Sequence, residues 1–304
     1  MRLVLLFLVV INFLGCSAVQ TAKDSAHRFA YGLMGGKDNA TPPKKLTDYE
    51  AAVEIDVLWE RQVGEGYEGQ GLRLAPVVSD EFIFSAGSQG TVEAISLKSG
   101  AVIWARETGF PISAGIGQGR RHLFLGTSSA QVIALNSRNG VTAWVAQVTS
   151  EVLASPVVHN GIVIVRTIDG KVIALDELSG KQRWIFERSV PALSIRGNGT
   201  PVIDSDRVFI GFADGRMVAL QLQSGKNLWE ASLAVPSGRT QIERLVDLDT
   251  DPIIIDDVIY IASYQGGMSA VLAMDGDIIW GNEDVSSYSG ISHDWRYLYL
   301  SDSE

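Results

Sequence analysis

The chain has 304 residues, is 46% hydrophobic and carries a formal net charge of −10 with a single cysteine. That is ample apolar material for a large core. The acidic balance excludes a nucleic-acid partner, because nothing here would displace phosphate counterions.

Residues 3–14 form an apolar run behind Met1-Arg2. It is shorter than the roughly 20 residues a bilayer span requires, so residues 1–15 read as a secretory signal peptide. The run ends in Phe13-Leu14-Gly15-Cys16, which resembles a bacterial lipobox and makes Cys16 the expected lipidation site. On the sorting rule of such lipoproteins, Ser17 after the cysteine implies the outer membrane, anchored by two or three acyl chains. Residues 16–50 are polar, with Gly35-Gly36 and Pro42-Pro43-Lys44-Lys45, and read as a flexible tether. The folded domain is expected over 51–304.

The stretch 57–62, around Trp59, looks like the last strand of a blade with no blade before it. Gly64, Gly66 and Gly69 satisfy G-x-G-x-x-G, but the dinucleotide reading needs a helix after it. Here 72–78 reads as another strand, so the glycines mark a loop.

Five repeats follow. Trp104, Trp144, Trp184, Trp229 and Trp280 each have an alanine ten residues earlier and a glycine four residues earlier. Twenty-eight residues before them stand Pro76, Ile116, Pro156, Pro201 and Pro252. A period near 40 is the mark of a repeat architecture. In the third copy, strands are expected at 156–158, 162–167, 171–176 and 182–186, from runs of β-branched and aromatic residues separated by Gly, Asn, Asp and Ser. No sustained 3.6 period predicts a helix. Four antiparallel strands per repeat, closed by a tryptophan, describe a propeller blade. A sixth copy begins at Ile291 and the sequence stops before its Ala and Trp.

Ala174-x-Asp176-x-x-Ser179-Gly180-x-x-x-Trp184 resembles the tryptophan-docking motif of quinoprotein-type propellers, which have eight blades. The other copies drift, with Ser96, Asn136 and Gln221 in place of the aspartate. The resemblance implies an all-β, eight-bladed propeller of four-stranded blades, here truncated in the sixth, with Trp59, Trp104, Trp144, Trp184, Trp229 and Trp280 docking blade on blade.

The connections between repeats differ. Trp104 to Ile116 and Trp144 to Pro156 span 12 residues, Trp184 to Pro201 spans 17, and Trp229 to Pro252 spans 23. Extra length in two adjacent connections on one rim points to a binding face. Their composition alone leaves open whether the aliphatic residues cover the blade edge and the aspartates brace turns, or whether both face a partner.

Leu193-Ser194-Ile195-Arg196-Gly197 and Glu243-Arg244-Leu245-Val246-Asp247-Leu248-Asp249 are similar to the corresponding loops of the BamB family, propeller lipoproteins of the outer-membrane β-barrel assembly machinery. The resemblance implies a non-catalytic scaffold, at the periplasmic face of the outer membrane, that docks the POTRA domains of BamA and aids insertion of barrel proteins. Leu193, Ile195, Arg196, Asp247 and Asp249 would form the docking surface, as one acidic-and-aliphatic patch with Arg196 at its centre. The two aspartates are expected to act there partly as rim charges.

The rival class is a PQQ-dependent periplasmic dehydrogenase, which holds its quinone beneath a vicinal cysteine pair with a calcium ion. A single cysteine cannot supply that pair, and His27, His122, His159 and His293 lack metal-ligand spacing. No catalytic residue, metal or cofactor is therefore expected. A third reading is a propeller that binds glycans or unfolded barrel precursors, the latter by strand addition.

Overall fold

A computed structural model of the chain describes residues 53–64, 71–196, 199–285, 287 and 289–301. The signal peptide, Cys16, the tether, Gly66, Gly69 and Gly197 lie outside them.

Twenty-two strands are described, and no helix. Blade 1 is β1 (Val77–Val78), β2 (Phe82–Ala86), β3 (Thr91–Ser96) and β4 (Val102–Glu107). Blade 2 is β5 (Gly117–Gln118), β6 (His122–Gly126), β7 (Gln131–Asn136) and β8 (Thr142–Gln147). Blade 3 is β9 (Val157–His159), β10 (Ile162–Arg166), β11 (Lys171–Asp176) and β12 (Gln182–Glu187). Blade 4 is β13 (Val202–Asp204), β14 (Arg207–Gly211), β15 (Arg216–Gln221) and β16 (Asn227–Ser232). Blade 5 is β17 (Ile253–Ile255), β18 (Val258–Ala262), β19 (Met268–Leu272) and β20 (Ile278–Asn282). The strands β21 (Ile291–His293) and β22 (Leu298–Leu300) form a two-stranded sheet after them. Each four-stranded sheet is an antiparallel meander in sequence order. All four expected strands of the third repeat coincide with β9 to β12 to within one residue at each end, and His159 and His293 each end a strand.

Side chains alternate between the two faces of a strand, so each middle strand serves two interfaces. In β10, Ile162 and Ile164 pack with Val208, Ile210 and Leu220 of blade 4. Val163 and Val165 pack with Phe124, Val132 and Val152 on the blade 2 side. All four are fully buried, which is why this strand reads as an unbroken apolar run.

The tryptophan register is built from three contacts. Each repeat alanine faces its own tryptophan across the third and fourth strands, as Ala174 faces Trp184, and a bulge follows it. In the first four repeats the indole then reaches the next blade, whereas Trp280 of the fifth is 39% exposed. Trp184 Nε1–H donates to the Leu222 carbonyl at 2.8 Å, and Trp104, Trp144 and Trp229 make the same bond to Ser137, Glu177 and Ala273. The repeat glycine of that next blade lies under the ring. A Cβ on Gly225 would stand 2.5 Å from Trp184, and its φ of +68° is one that a side chain rarely adopts. One glycine thus satisfies both the turn and the indole.

Trp59 docks in the same way, donating to the Leu97 carbonyl at 3.0 Å over Gly100. The expected strand around it is not formed, since a strand is a ladder and no described strand lies beside 57–62 to pair with it. In the third repeat, Asp176 Oδ1 accepts from the Leu178 and Ser179 backbone N–H groups and the Ser179 hydroxyl. The Arg183 guanidinium bonded to its other oxygen, then Ser179, hold this carboxyl down at about 2.

Candidate docking surface

The two long connections leave the ends of β12 and β16, on the same rim as the β10–β11 and β14–β15 turns. Arg188 N–H donates to the Gly170 carbonyl and Leu233 N–H to Gly215, which ties each connection to the turn of its own blade. Arg188 also anchors the first connection to blade 4. Its guanidinium donates to Asp214 at 2.7 Å and to Glu230 at 2.9 and 3.1 Å. These bonds raise its own pKa and lower that of Glu230.

The connections meet. Ile195 N–H donates to Asp247 Oδ1 at 2.9 Å, and Thr200 N–H donates to Asp251 Oδ1 at 2.6 Å. Thr250 seals the second connection onto β18 by donating to the Ala262 carbonyl and accepting from its N–H. The segment 246–250 is buried, whereas 235–244 is exposed apart from its own turn contacts. That turn is held by Glu243, whose Oε2 accepts from the Arg239 and Thr240 N–H groups.

A groove of about 390 Å³ runs between the two connections. Pro191, Leu193 and Pro236 supply apolar lining, and Arg239, Arg244 and Asp214 supply charge. Leu193 is 42% exposed. Ile195 is half-buried at the root of the same loop. Arg196 is exposed and pairs with Glu151 on the connection before blade 3.

Asp247 and Asp249 are not rim charges. They are 1% and 4% exposed, under the loop rather than on it. Burial drives the Asp247 carboxyl up to about 7, with the neighbouring Asp249 charge adding to the rise. Burial raises Asp249 as well, against the pull of Arg166 and Arg73. Asp247 and Asp249 therefore lie inside the patch, while Leu193, Arg196, Arg239 and Arg244 are on its exposed side. Spacing could not distinguish these cases, because a loop carboxylate is covered only by residues distant in sequence. Sequence reasoning did not single out Arg239, whose only signal was its place in the longest connection, nor Arg244, although it lies within the 243–249 stretch that carries the resemblance. Leu193, Ile195 and Arg196 do share one loop beside the groove.

A bladed β-propeller with tryptophan docking and two enlarged rim connections is the class of protein these features define. A family model described as outer membrane protein assembly factor BamB matches residues 88–304. The outer membrane protein assembly factor BamB of Pseudomonas aeruginosa is 41% identical over 270 residues, covering 89% of this chain and 71% of that protein. The crystal structure of BamB from Moraxella catarrhalis aligns with a TM-score of 0.67 at 30% identity, covering 73% of this chain and 67% of that one. The chain belongs to the BamB family. The quinohemoprotein alcohol dehydrogenase of Comamonas testosteroni also aligns, with a TM-score of 0.56 at 17% identity over 70% of this chain and 43% of that one. At that identity it shares the fold alone.

Proposed function

We propose that the chain is a non-catalytic scaffold lipoprotein of the outer-membrane protein assembly complex. Cys16 is acylated and holds it at the periplasmic face of the outer membrane, with 16–50 as tether to the propeller. The rim formed by the two long connections docks the periplasmic POTRA domains of BamA, and the assembly aids insertion of barrel proteins. Membership of the BamB family supports the assembly role.

One observation carries the docking site: the Ile195–Asp247 bond joins connections from two blades into a single surface. Leu193 and the groove beside it offer apolar contact, and Arg196, Arg239 and Arg244 offer donors to carboxylates. Capture of purified BamA periplasmic domains by the full-length protein tests the reading. Wild-type capture by a folded Leu193→Ala/Arg196→Ala variant would place the surface elsewhere.

The dehydrogenase reading has only the fold behind it. Those enzymes use a vicinal cysteine pair, and Cys16 is the single cysteine in these 304 residues. Among the described residues, no group of three or more His, Cys, Asp or Glu is placed to hold a metal. A stoichiometric quinone chromophore in the purified protein would reverse this choice.

A further inference from the structure

Arg166 closes β10 and is 8% exposed. Its Nη1 donates to the Gly199 carbonyl at 3.1 Å, at the end of the first long connection. Its Nη2 stands 3.7 Å from Asp249 Oδ1, in the second. The guanidinium carbon also lies 5.7 Å from the centre of the Phe212 ring, which Arg188 approaches at 5.5 Å. One side chain on a fully buried strand therefore touches both connections.

Burying a guanidinium is costly, and it is compensated only when carboxylates and acceptors surround it. Here Asp249, Asp247 and Asp251 face it, while Arg73 faces Asp249 from the segment before blade 1. Equivalent strand ends in other blades manage without it: β2 ends in Ala86, β6 in Gly126, β14 in Gly211 and β18 in Ala262. Blade packing by itself thus does not require an arginine at this position. The fit around it is close. A Cβ on Gly199 would meet Arg166 Nη1 at 3.0 Å and the Asp249 carbonyl oxygen at 3.2 Å. Gly199 lets the first connection pass between the arginine and the second connection.

We propose that Arg166 is a positioning residue for the docking surface: by joining Gly199 to Asp249 it fixes the two long connections against each other and so sets how Leu193, Ile195 and Arg196 are presented. Arg166 itself touches no partner. It acts through the loop, together with the Ile195–Asp247 bond. The inference rests on the docking reading above, and it also predicts a local effect that needs no partner at all.

The test uses Arg166→Met, Arg166→Lys and Gly199→Ala in the full-length protein. Thermal melting and circular dichroism confirm folding, and two readouts follow. The first is amide hydrogen exchange. Arg166→Met should speed exchange at 193–196 and 247–250 by about tenfold or more, while β11 and β15 keep wild-type protection. The second is affinity for purified BamA periplasmic domains, which should fall by about tenfold or more. Arg166→Lys should recover part of both, since an ammonium can pair with Asp249 but cannot bridge two sites as a fork. Gly199→Ala should loosen the same segments with the guanidinium still present.

Unchanged local exchange and affinity in folded Arg166→Met overturn the proposal. So does loss of protection spread evenly over all blades, which would mark an ordinary packing role. If Arg166→Met does not fold, Arg166→Lys and Gly199→Ala decide by the same criteria. If the wild type itself fails to bind BamA, the docking reading falls, and the exchange data alone still decide whether Arg166 positions the loops.

Discussion

The backbone N–H of Ile195 donates to the carboxylate of Asp247 at 2.9 Å, across fifty-two residues of sequence. Asp247 is buried, and its pKa lies at about 7 because of that burial and of Asp249 beside it. A carboxyl with a higher pKa folded than unfolded stabilises the fold fully below its unfolded value near 3.9, and loses that contribution as pH rises through the folded value. Stability should therefore decline between about pH 4 and pH 7 through this group and level off above it. Asp247→Asn keeps an amide oxygen for the Ile195 N–H and carries no charge. It should flatten the slope and match or exceed the wild type at pH 8. Denaturant unfolding at a series of pH values checks this, and equal slopes in both proteins would count against it.

Leu193 lines the groove and Arg196, on the same loop, is exposed and paired with Glu151. Leu193→Ala or Arg196→Ala should each weaken binding to the BamA periplasmic domains by about 2 kcal/mol or more, in the hot-spot range. Melting temperature should hardly change. Arg196→Lys should not restore binding if a partner carboxylate is gripped by two nitrogens. Calorimetric titration of each variant gives the comparison.

Trp184 separates packing from recognition. Its ring sits between blades 3 and 4, bonded to the Leu222 carbonyl and pressed on Gly225. Trp184→Ala should cost about 3–5 kcal/mol of stability. Gly225→Ala should cost more than about 1 kcal/mol, since alanine is strained at positive φ and its methyl would strike the indole. Urea unfolding of both variants measures this, and a stability within error of wild type for Gly225→Ala would contradict the geometry.

Cys16 carries the anchor in the proposed function. Cys16→Ala should abolish incorporation of labelled palmitate and leave an unprocessed or soluble form. Normal lipid labelling of that variant would remove the lipoprotein assignment.

The repeat determined most of the fold before any coordinates. Alanine, glycine and tryptophan at constant offsets are local demands. The alanine must face the indole across one hairpin, and the glycine must turn the chain at positive φ under the preceding blade's ring. Both conditions are met within a single repeat or between neighbours, so spacing carries them. The two long connections were legible for the same reason, as departures from a constant length. What spacing could not carry is which loop side chains are covered. Asp247 and Asp249 read as surface acids because carboxylates on loops usually are. Only the tertiary structure places Arg166, Gly199 and Ile195 against them, and it thereby turns two apparent contact residues into buried braces. The exposed face of the rim is left to Leu193, Arg196, Arg239 and Arg244. Burial is set by neighbours fifty or more residues away, and a one-dimensional pattern holds no record of them.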